Sequence, residues 1–354
     1  MTLIRIMPRG FRSLLLPVLP ALLFLAAQCN VDHPPMPGTS TTPTLRVAIL
    51  SPTSGELAPV GQMMRNGVIM AFDEWNRRGG IKDHRFEWAL YHTDCSFSSA
   101  RQATRQAIDD GLEFIIGPIC SEAAIAAATA AASAQVVILA PAATHPLVTV
   151  DRQGRTRPES FRVSYTYPLQ GQAAAHLAHN TLDARQVALL YEAGSDYSST
   201  LSAAFTEQFV AEGGQIVYQA PISAGETELT DILTNVIRSD ATLIYLPASP
   251  AVANRVANQL IDLGAINRTL SSERPGLALL GSDAWASEEL DLVAVEGSYF
   301  PVHYSAQAKQ PLVQNWRERY KSIFAIEPNT LAALGYDAAN ILATAIEQAD
   351  SFEP

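Results

Sequence analysis

Polar side chains follow several apolar runs of the chain, at the points where predicted strands end. Ser121 comes after the run FII and begins a predicted helix, and Thr144 follows the run VVILA. Two later runs are followed by Tyr197 and Asp283. The N-terminus of a helix can bind a carboxylate, because its first N–H groups are unpaired and carry a partial positive charge. A carboxylate such as that of Asp283 can bind a cation. These residue types indicate a site that binds a charged ligand.

Together these residues suit a zwitterion. Ser121 and the N–H groups near it would bind a carboxylate, while Thr144, the carbonyl of Ala142 and Asp283 would bind an ammonium group. Each residue also has a simpler explanation when it is taken alone. Ser121 could cap its helix, Thr144 could form a loop turn, and Asp283 could be a solvated turn residue. Tyr197 could serve packing only.

Apolar runs of strand length alternate with helical patterns, and this alternation predicts parallel sheets with helices on both faces. A polar stretch at 141–161 divides the pattern into two similar units, so the predicted fold is α/β with two doubly wound parallel-sheet lobes joined by a hinge. Ligands of such sheets bind beyond the carboxyl ends of the strands, here in the cleft between the lobes. The predicted strands are 45–50, 86–91, 114–116, 136–140, 187–191, 216–219, 242–246 and 277–280, and the predicted helices are 61–78, 100–110, 121–134, 170–180, 199–212, 229–238, 251–263, 311–324 and 330–348.

Length and composition agree with two globular domains. The chain has 354 residues, of which 48% are hydrophobic and 17% charged. Its net charge of −11 argues against a nucleic-acid partner and against a polybasic membrane-surface protein. No nucleophile elbow, P-loop, dinucleotide fingerprint or zinc-protease motif is present, so no catalytic residue and no cofactor are predicted. His176 and His179 share one helix face, but no carboxylate or cysteine ligand is predicted near them, so no metal site is expected.

The N-terminus is typical of an export signal. Three arginines precede an apolar run at 14–27, which is shorter than the roughly 20 residues of a membrane span and contains two prolines. Cys29 follows Leu-Ala-Ala-Gln, a segment similar to a bacterial lipobox apart from Gln28, and this predicts lipidation of Cys29. The alternative is cleavage by an ordinary signal peptidase. Residues 1–29 are therefore a predicted signal peptide, and the proline-rich 30–44 a flexible tether.

Several motifs resemble the branched-chain amino-acid-binding proteins, which are type I periplasmic substrate-binding proteins of ABC importers. The similar segments are Gly61-Gln62, Asn66-Gly67, Gly79-Gly80-Ile81, Asp94-Cys95, Ile116-Gly117-Pro118-Ile119-Cys120-Ser121 and Pro141-Ala142-Ala143-Thr144.

The resemblance implies a role for each candidate residue. Ser121 matches the carboxylate-binding serine of the family, and Asp283 lies where the family has an acidic residue for the ammonium group. Ala142, Ala143 and Thr144 match its backbone clamp, and Tyr197 its cleft tyrosine. The resemblance also implies a disulfide between Cys95 and Cys120, which leaves Cys29 for lipid. It further implies an N-terminal lobe of 45–163 plus 303–354, a C-terminal lobe of 164–302, and crossings near 163–167 and 300–304.

Two departures concern the pocket for the ligand's side chain. Val60 stands where the family has an aromatic residue, and Pro247–Pro250 replace an aromatic pair. An amino acid is therefore implied, but not a branched-chain one. The expected partners are this small ligand, an ABC permease and, through the lipid, a membrane, with the protein in the periplasm or at the cell surface. The alternative is a sensory or regulatory lipoprotein of the same fold, such as a receptor sensor or an activator of peptidoglycan synthases.

Overall fold

The computed structural model describes residues 2–5, 42–266, 277–349 and 352. The strands of these residues are β1 (Thr2–Arg5), β2 (Thr44–Ser51), β3 (Arg85–His92), β4 (Phe114–Ile116), β5 (Val137–Ala140), β6 (Ser160–Arg162), β7 (Gln186–Glu192), β8 (Gln215–Ile222), β9 (Leu243–Tyr245), β10 (Ala278–Leu280) and β11 (Tyr299–Val302). The helices are α1 (Ala58–Arg77), α2 (Phe97–Asp109), α3 (Ser121–Ala132), α4 (Tyr167–Asn180), α5 (Asp196–Ala211), α6 (Thr230–Arg238), α7 (Pro250–Asp262), α8 (Pro311–Phe324) and α9 (Thr330–Gln348).

The first lobe is built on a sheet with the strand order β3-β2-β4-β5-β6, in which every pair is parallel. β2 lies inside this sheet, and its residues 47–50 are fully buried, as expected for a strand covered on both faces. α1 and α9 pack on one face, and α2 and α3 pack on the other. The carboxyl ends of β4 and β5 therefore deliver Ser121 and Thr144 to the same edge of the sheet.

Two glycines allow α1 and α9 to approach each other closely. A Cβ atom at Gly67 would overlap the carbonyl oxygen of Ala332, and one at Gly335 would overlap that of Met64. The helices therefore pack backbone against backbone, without intervening side chains. α1 ends before Gly79, whose φ of +111° suits glycine, and this agrees with the predicted end of the helix.

The second lobe contains a sheet in the order β1-β11-β10-β9-β7-β8. Its strands pair in parallel except β1, which is antiparallel to β11. α4 and α5 cover one face, and α6 and α7 cover the other. Phe205 of α5 stacks on Tyr245 of β9, with ring centroids 4.0 Å apart. The predicted architecture of two doubly wound α/β lobes is confirmed.

The chain crosses between the lobes at residues 163–166, which join β6 to α4, and again at residues 303–310, which join β11 to α8. Tyr165 of the first crossing stacks on His303 of the second, with ring centroids 3.7 Å apart and planes inclined by 21°. The two crossings therefore lie side by side. β6 overlaps the end of the stretch that the sequence pattern indicated as a polar interruption, and it was not predicted as a strand because three residues are too few to show a period.

Part of the predicted leader enters the second sheet. Thr2–Arg5 forms its edge strand, β1. The other predicted leader residues, Cys29 with its predicted lipid, and residues 30–41 of the predicted tether lie outside the described residues. Among the described residues, no helix has both the length and the apolar character that a membrane crossing requires.

Candidate ligand-binding site

Ser121 begins α3 at the carboxyl edge of the first sheet. The N-cap of α3 is Cys120, so the alternative explanation of Ser121 as an N-cap is wrong by one residue. Its hydroxyl oxygen accepts hydrogen bonds from the backbone N–H of His145 and from the hydroxyl of Tyr167, each at 3.3 Å. Ser121 is the first helical residue, so its own N–H group has no carbonyl partner within α3. The hydroxyl and the N–H group together could bind an anion.

A disulfide holds the start of α3. It joins Cys95, in the turn between β3 and α2, to Cys120, and the two Cα atoms are 5.5 Å apart. The bond agrees with the pairing that the family resemblance implies. Gly117 precedes Cys120 and has a φ of +110°, and a Cβ atom there would overlap the carbonyl of Leu50. Covalent and steric constraints therefore both position Ser121.

The loop after β5 supplies backbone groups beside Ser121. Ala143 is fully buried, and its carbonyl accepts a hydrogen bond from the hydroxyl of Ser164 at 3.0 Å. Thr144 is 8% exposed, and its carbonyl accepts the N–H of Tyr167 at 3.2 Å. Within the described residues, no group donates to the carbonyl of Ala142. That carbonyl therefore has unused capacity to accept a hydrogen bond.

Arg162 holds this loop in place. Its guanidinium donates to the carbonyl of Ala143 at 3.3 Å, of His145 at 2.7 Å and of Pro146 at 2.9 Å. It also donates to the Thr149 hydroxyl. Burial lowers the pKa of Arg162 from its ordinary value. Arg162 is a positioning residue, since its bonds go to the loop that carries the predicted clamp.

Asp283 lies in a 3-10 turn directly after β10, and its side chain is 19% exposed. One carboxylate oxygen accepts two hydrogen bonds, one from the side-chain amide of Gln170 at 2.8 Å and one from the hydroxyl of Tyr197. The second oxygen lies 3.5 Å from Nε2 of His303. The partners come from α4, α5 and the second crossing. The carboxylate of Asp283 is therefore fixed in position by these contacts, and the alternative of a solvated turn residue is wrong.

The carboxylate of Asp283 stays ionised at neutral pH. Burial alone would raise its pKa, but hydrogen bonds from His303, Tyr197 and Gln170 outweigh burial and lower the pKa below its ordinary value. Burial raises the pKa of Tyr197, and the charge of Asp283 adds to the effect. The phenol of Tyr197 therefore stays protonated at neutral pH and donates its hydrogen bond to the ionised carboxylate of Asp283. The negative charge of that carboxylate can bind a cationic group.

Burial also raises the pKa of Tyr165 and Tyr245, and Asp283 contributes to both shifts. The two hydroxyls are buried and have no hydrogen-bond partner among the described residues. Asp283 therefore lies near two hydroxyl groups that have unused hydrogen-bonding capacity among the described residues.

Side chains of the two lobes meet across the cleft. The hydroxyl of Tyr167, from α4, reaches Ser121, and its ring packs edge to face on Tyr197 with centroids 4.9 Å apart. Nε2 of His145 lies 3.3 Å from the carboxylate of Asp196. Ser121, Tyr167 and Tyr197 line one cavity of about 670 Å³, a size typical of small-molecule sites. Ser121 and Asp283 are linked across this cleft through Tyr167 and Tyr197.

A family model described as periplasmic binding protein matches residues 44–354. The chain belongs to this family. A Leu/Ile/Val-binding protein of Rhizobium johnstonii is 27% identical over 311 residues, or 87% of this chain and 80% of the relative. A leucine-, isoleucine-, valine-, threonine- and alanine-binding protein of Pseudomonas aeruginosa is 20% identical over 88% of this chain and 80% of the relative.

Solved structures agree with this assignment. A leucine-binding protein from Thermotoga maritima superposes with a TM-score of 0.67 at 29% identity, covering 87% of this chain and 84% of its own. A branched-chain amino acid transporter substrate-binding protein from Streptococcus pneumoniae, in complex with isoleucine, gives a TM-score of 0.69 at 25% identity, with 87% and 85% covered. The predicted resemblance to branched-chain amino-acid-binding proteins is confirmed.

Membership of the periplasmic binding protein family has two direct consequences. The family consists of substrate-binding proteins, so the prediction that the chain is not an enzyme is confirmed. Such proteins work outside the cytoplasm, so the protein is extracytoplasmic. The residue-level roles predicted for the clamp remain expectations.

The sequence missed several residues of the cleft. His145, Tyr167 and Asp196 bring the lobes together, and Gln170 and His303 hold Asp283. These residues lie far apart in the chain, and no periodic pattern connects them.

The surroundings of His176 and His179 differ from the expectation. α5 places Glu212 beside them, 3.1 Å from Nδ1 of His176 and 4.0 Å from Nδ1 of His179. The prediction that no carboxylate lies near these histidines is therefore wrong, because the packing of α4 on α5 joins residues that are distant in sequence. Among the described residues, no three His, Cys, Asp or Glu side chains are arranged to hold a metal ion.

Proposed function

We propose that the protein captures an α-amino acid, or a similar small zwitterion, in the interlobe cleft and delivers it to an ABC importer. The observation that carries this proposal is a pair of opposite binding groups on the two lobes. Ser121 and the free N–H groups of α3 suit a carboxylate, and the ionised Asp283 suits an ammonium group. The relatives named above bind amino acids, which supports the same ligand class.

Capture would proceed by closure of one lobe over a ligand already bound to the other. The carboxylate would contact Ser121, and the ammonium group would contact the carbonyl of Ala142, Thr144 and Asp283. Tyr167 and Tyr197 would wall the cleft. Closure excludes water, and a charge-assisted hydrogen bond is stronger in the water-poor site.

The proposal includes export by the N-terminal leader and lipidation at Cys29. A diacylated lipoprotein would stay near its permease, since two acyl chains give stable anchoring. Cys29→Ser should release the protein from membranes into the soluble extract. Retention of the Cys29→Ser variant in the membrane fraction would contradict lipidation at this residue.

Calorimetric titration with a panel of amino acids, amides and short peptides tests the ligand class. Saturable one-site binding of an α-amino acid is expected. Ser121→Ala should weaken binding by about 10- to 150-fold, the effect of losing one hydrogen bond to a charged group. Ser133→Ala is the matched control, because Ser133 follows the end of the same helix and its hydroxyl donates to the carbonyl of Ala130, away from the cavity. A folded protein that binds no member of the panel would refute the zwitterion site.

A further inference from the structure

The cleft extends beyond the residues expected to bind an amino-acid head group. The cavity that Ser121 lines is also lined by the apolar side chains of Phe97, Ile125 and Leu147. Two arginines, Arg152 and Arg157, in the loop between β5 and β6, line it as well, whereas Asp283 does not. Apolar side chains together with two cationic groups suit a ligand that has an apolar part and a second anionic group.

The loop that carries the two arginines is ordered by its own hydrogen bonds. Asp151 accepts the backbone N–H groups of Gln153 and Arg155, each at 2.9 Å. Its other oxygen lies 2.7 Å from the guanidinium of Arg155. Arg157 donates from Nε to the carbonyl of Val150 at 3.3 Å. Asp151 is thus neutralised within the loop and does not offset the charges of Arg152 and Arg157.

The two arginines have no ionic partner among the acidic residues that the structure describes. Among the described residues, no carboxylate lies within ion-pair distance of Arg152 or Arg157. Asp196 faces His145, whose Nδ1 accepts the N–H of Leu147 and so leaves the proton on Nε2. Glu122 is the remaining acid of the lining, and it lies on α3.

Arg152 and Arg157 place two guanidinium groups in the lining of one cavity of a chain with a net charge of −11. Guanidinium groups bind carboxylates with particular geometric fit, since their donors match both oxygens. We propose that the ligand is an α-amino acid with an apolar spacer and a second, distal carboxylate, and that Arg152 and Arg157 bind this distal group. This inference rests on the proposed function, because it assigns the other end of the same ligand.

The test compares ligands of equal carbon count with and without the distal charge. L-2-aminoadipate is matched to L-norleucine, and L-2-aminopimelate provides a spacer one methylene longer. The wild-type protein should bind at least one of the two acids about tenfold more tightly than norleucine. That advantage should decrease as salt is added, because the guanidinium groups are solvent-accessible.

Variants then assign the effect to the arginines. Arg152→Ala and Arg157→Ala should each weaken binding of the acid by about tenfold to a hundredfold and leave norleucine binding unchanged. Arg105→Ala is the control, since it removes one exposed charge from the same lobe and does not line this cavity. Circular dichroism and thermal melting establish that each variant is folded.

The outcomes separate this inference from the function on which it rests. If norleucine binds and the acids bind no more tightly, the distal site is refuted while solute binding stands. Equal losses in Arg157→Ala and Arg105→Ala would also refute it, because the effect would then reflect overall charge. If no amino acid binds and Ser121→Ala changes nothing, the proposed function itself fails.

Discussion

Replacement of Asp283 by asparagine tests the site most directly. Asn keeps the size of the side chain, and its carbonyl oxygen can still accept the hydrogen bonds from Gln170 and Tyr197. The fold should therefore be retained. What is lost is the negative charge that faces the ligand's ammonium group. Because the Asp283 side chain is only 19% exposed, water screens this charge less than it screens a surface carboxylate.

The magnitude follows from one charge-assisted hydrogen bond, about 1.5–3 kcal/mol. Asp283→Asn should thus weaken amino-acid binding by about 10- to 150-fold. Calorimetric titration gives the dissociation constant, and thermal melting checks the fold. Asp183→Asn is the matched control, since Asp183 lies in the same lobe, is 87% exposed and has a φ of +53°, which asparagine tolerates well. Equal affinities for the two variants would refute the assignment of Asp283 to the ammonium group.

The pH dependence provides a second check with a definite sign. The folded-state pKa of Asp283 lies below the ordinary value of 3.8, so the carboxyl stays ionised as the pH falls from neutrality. Binding by the wild-type protein should be constant down to about pH 5 and should weaken only below about pH 4. The stability contributed by this carboxylate is likewise present above its unfolded pKa and lost as the pH falls through the lower folded value. A fall in affinity centred near pH 6 would contradict this account.

Three further outcomes are expected. Reduction of the Cys95–Cys120 bond, whose partners are 25 residues apart, should lower the free energy of unfolding by about 3.5 kcal/mol. Denaturant titrations with and without reductant measure this change, and unchanged midpoints would contradict it. Gly67→Ala should lower the melting temperature because its Cβ would overlap Ala332, whereas Gly225→Ala, which has open space, should not. Arg162→Lys should weaken ligand binding almost as much as Arg162→Ala, because a lysine lacks the planar set of donors that reaches three carbonyls. Calorimetric titration gives the affinities, and an unchanged ligand affinity of the lysine variant would refute the positioning role.

Local sequence patterns predicted the lobes because each element carries its own signal. The buried run of β2 and the helix stop at Gly79 are legible without knowledge of the rest of the chain. Short elements carry a weaker signal: β4 was predicted at its observed residues, whereas β6, also of three residues, was not. The start of α3 at Ser121 was predicted, but its N-cap is Cys120, which makes no side-chain hydrogen bond and is therefore not marked by its residue type.

The candidate site was predicted only where its residues follow strands. Ser121, Thr144 and Asp283 occupy such places, so the predicted topology alone identifies them as candidate ligand-binding residues. His303 and Tyr167 act through contacts with residues 20 or more positions away, and nothing nearby in the chain marks them. Arg152 and Arg157 lie in a polar loop of ordinary composition, and their proposed role depends on the cavity that they line with Ser121, which becomes visible only in three dimensions.

We expect the axis of the proposed rotation between the lobes to pass near the stack of Tyr165 on His303. The two crossings run side by side at this stack, so a rotation of one lobe against the other displaces atoms in proportion to their distance from it. Asp283 contacts His303 directly and shares its lobe with Gln170 and Tyr197, so in the proposed closing motion these side chains would move together. Ser121, on the opposite lobe, would move relative to them. Closure would therefore change the distance between Ser121 and Asp283 and leave the hydrogen bonds of Asp283 intact.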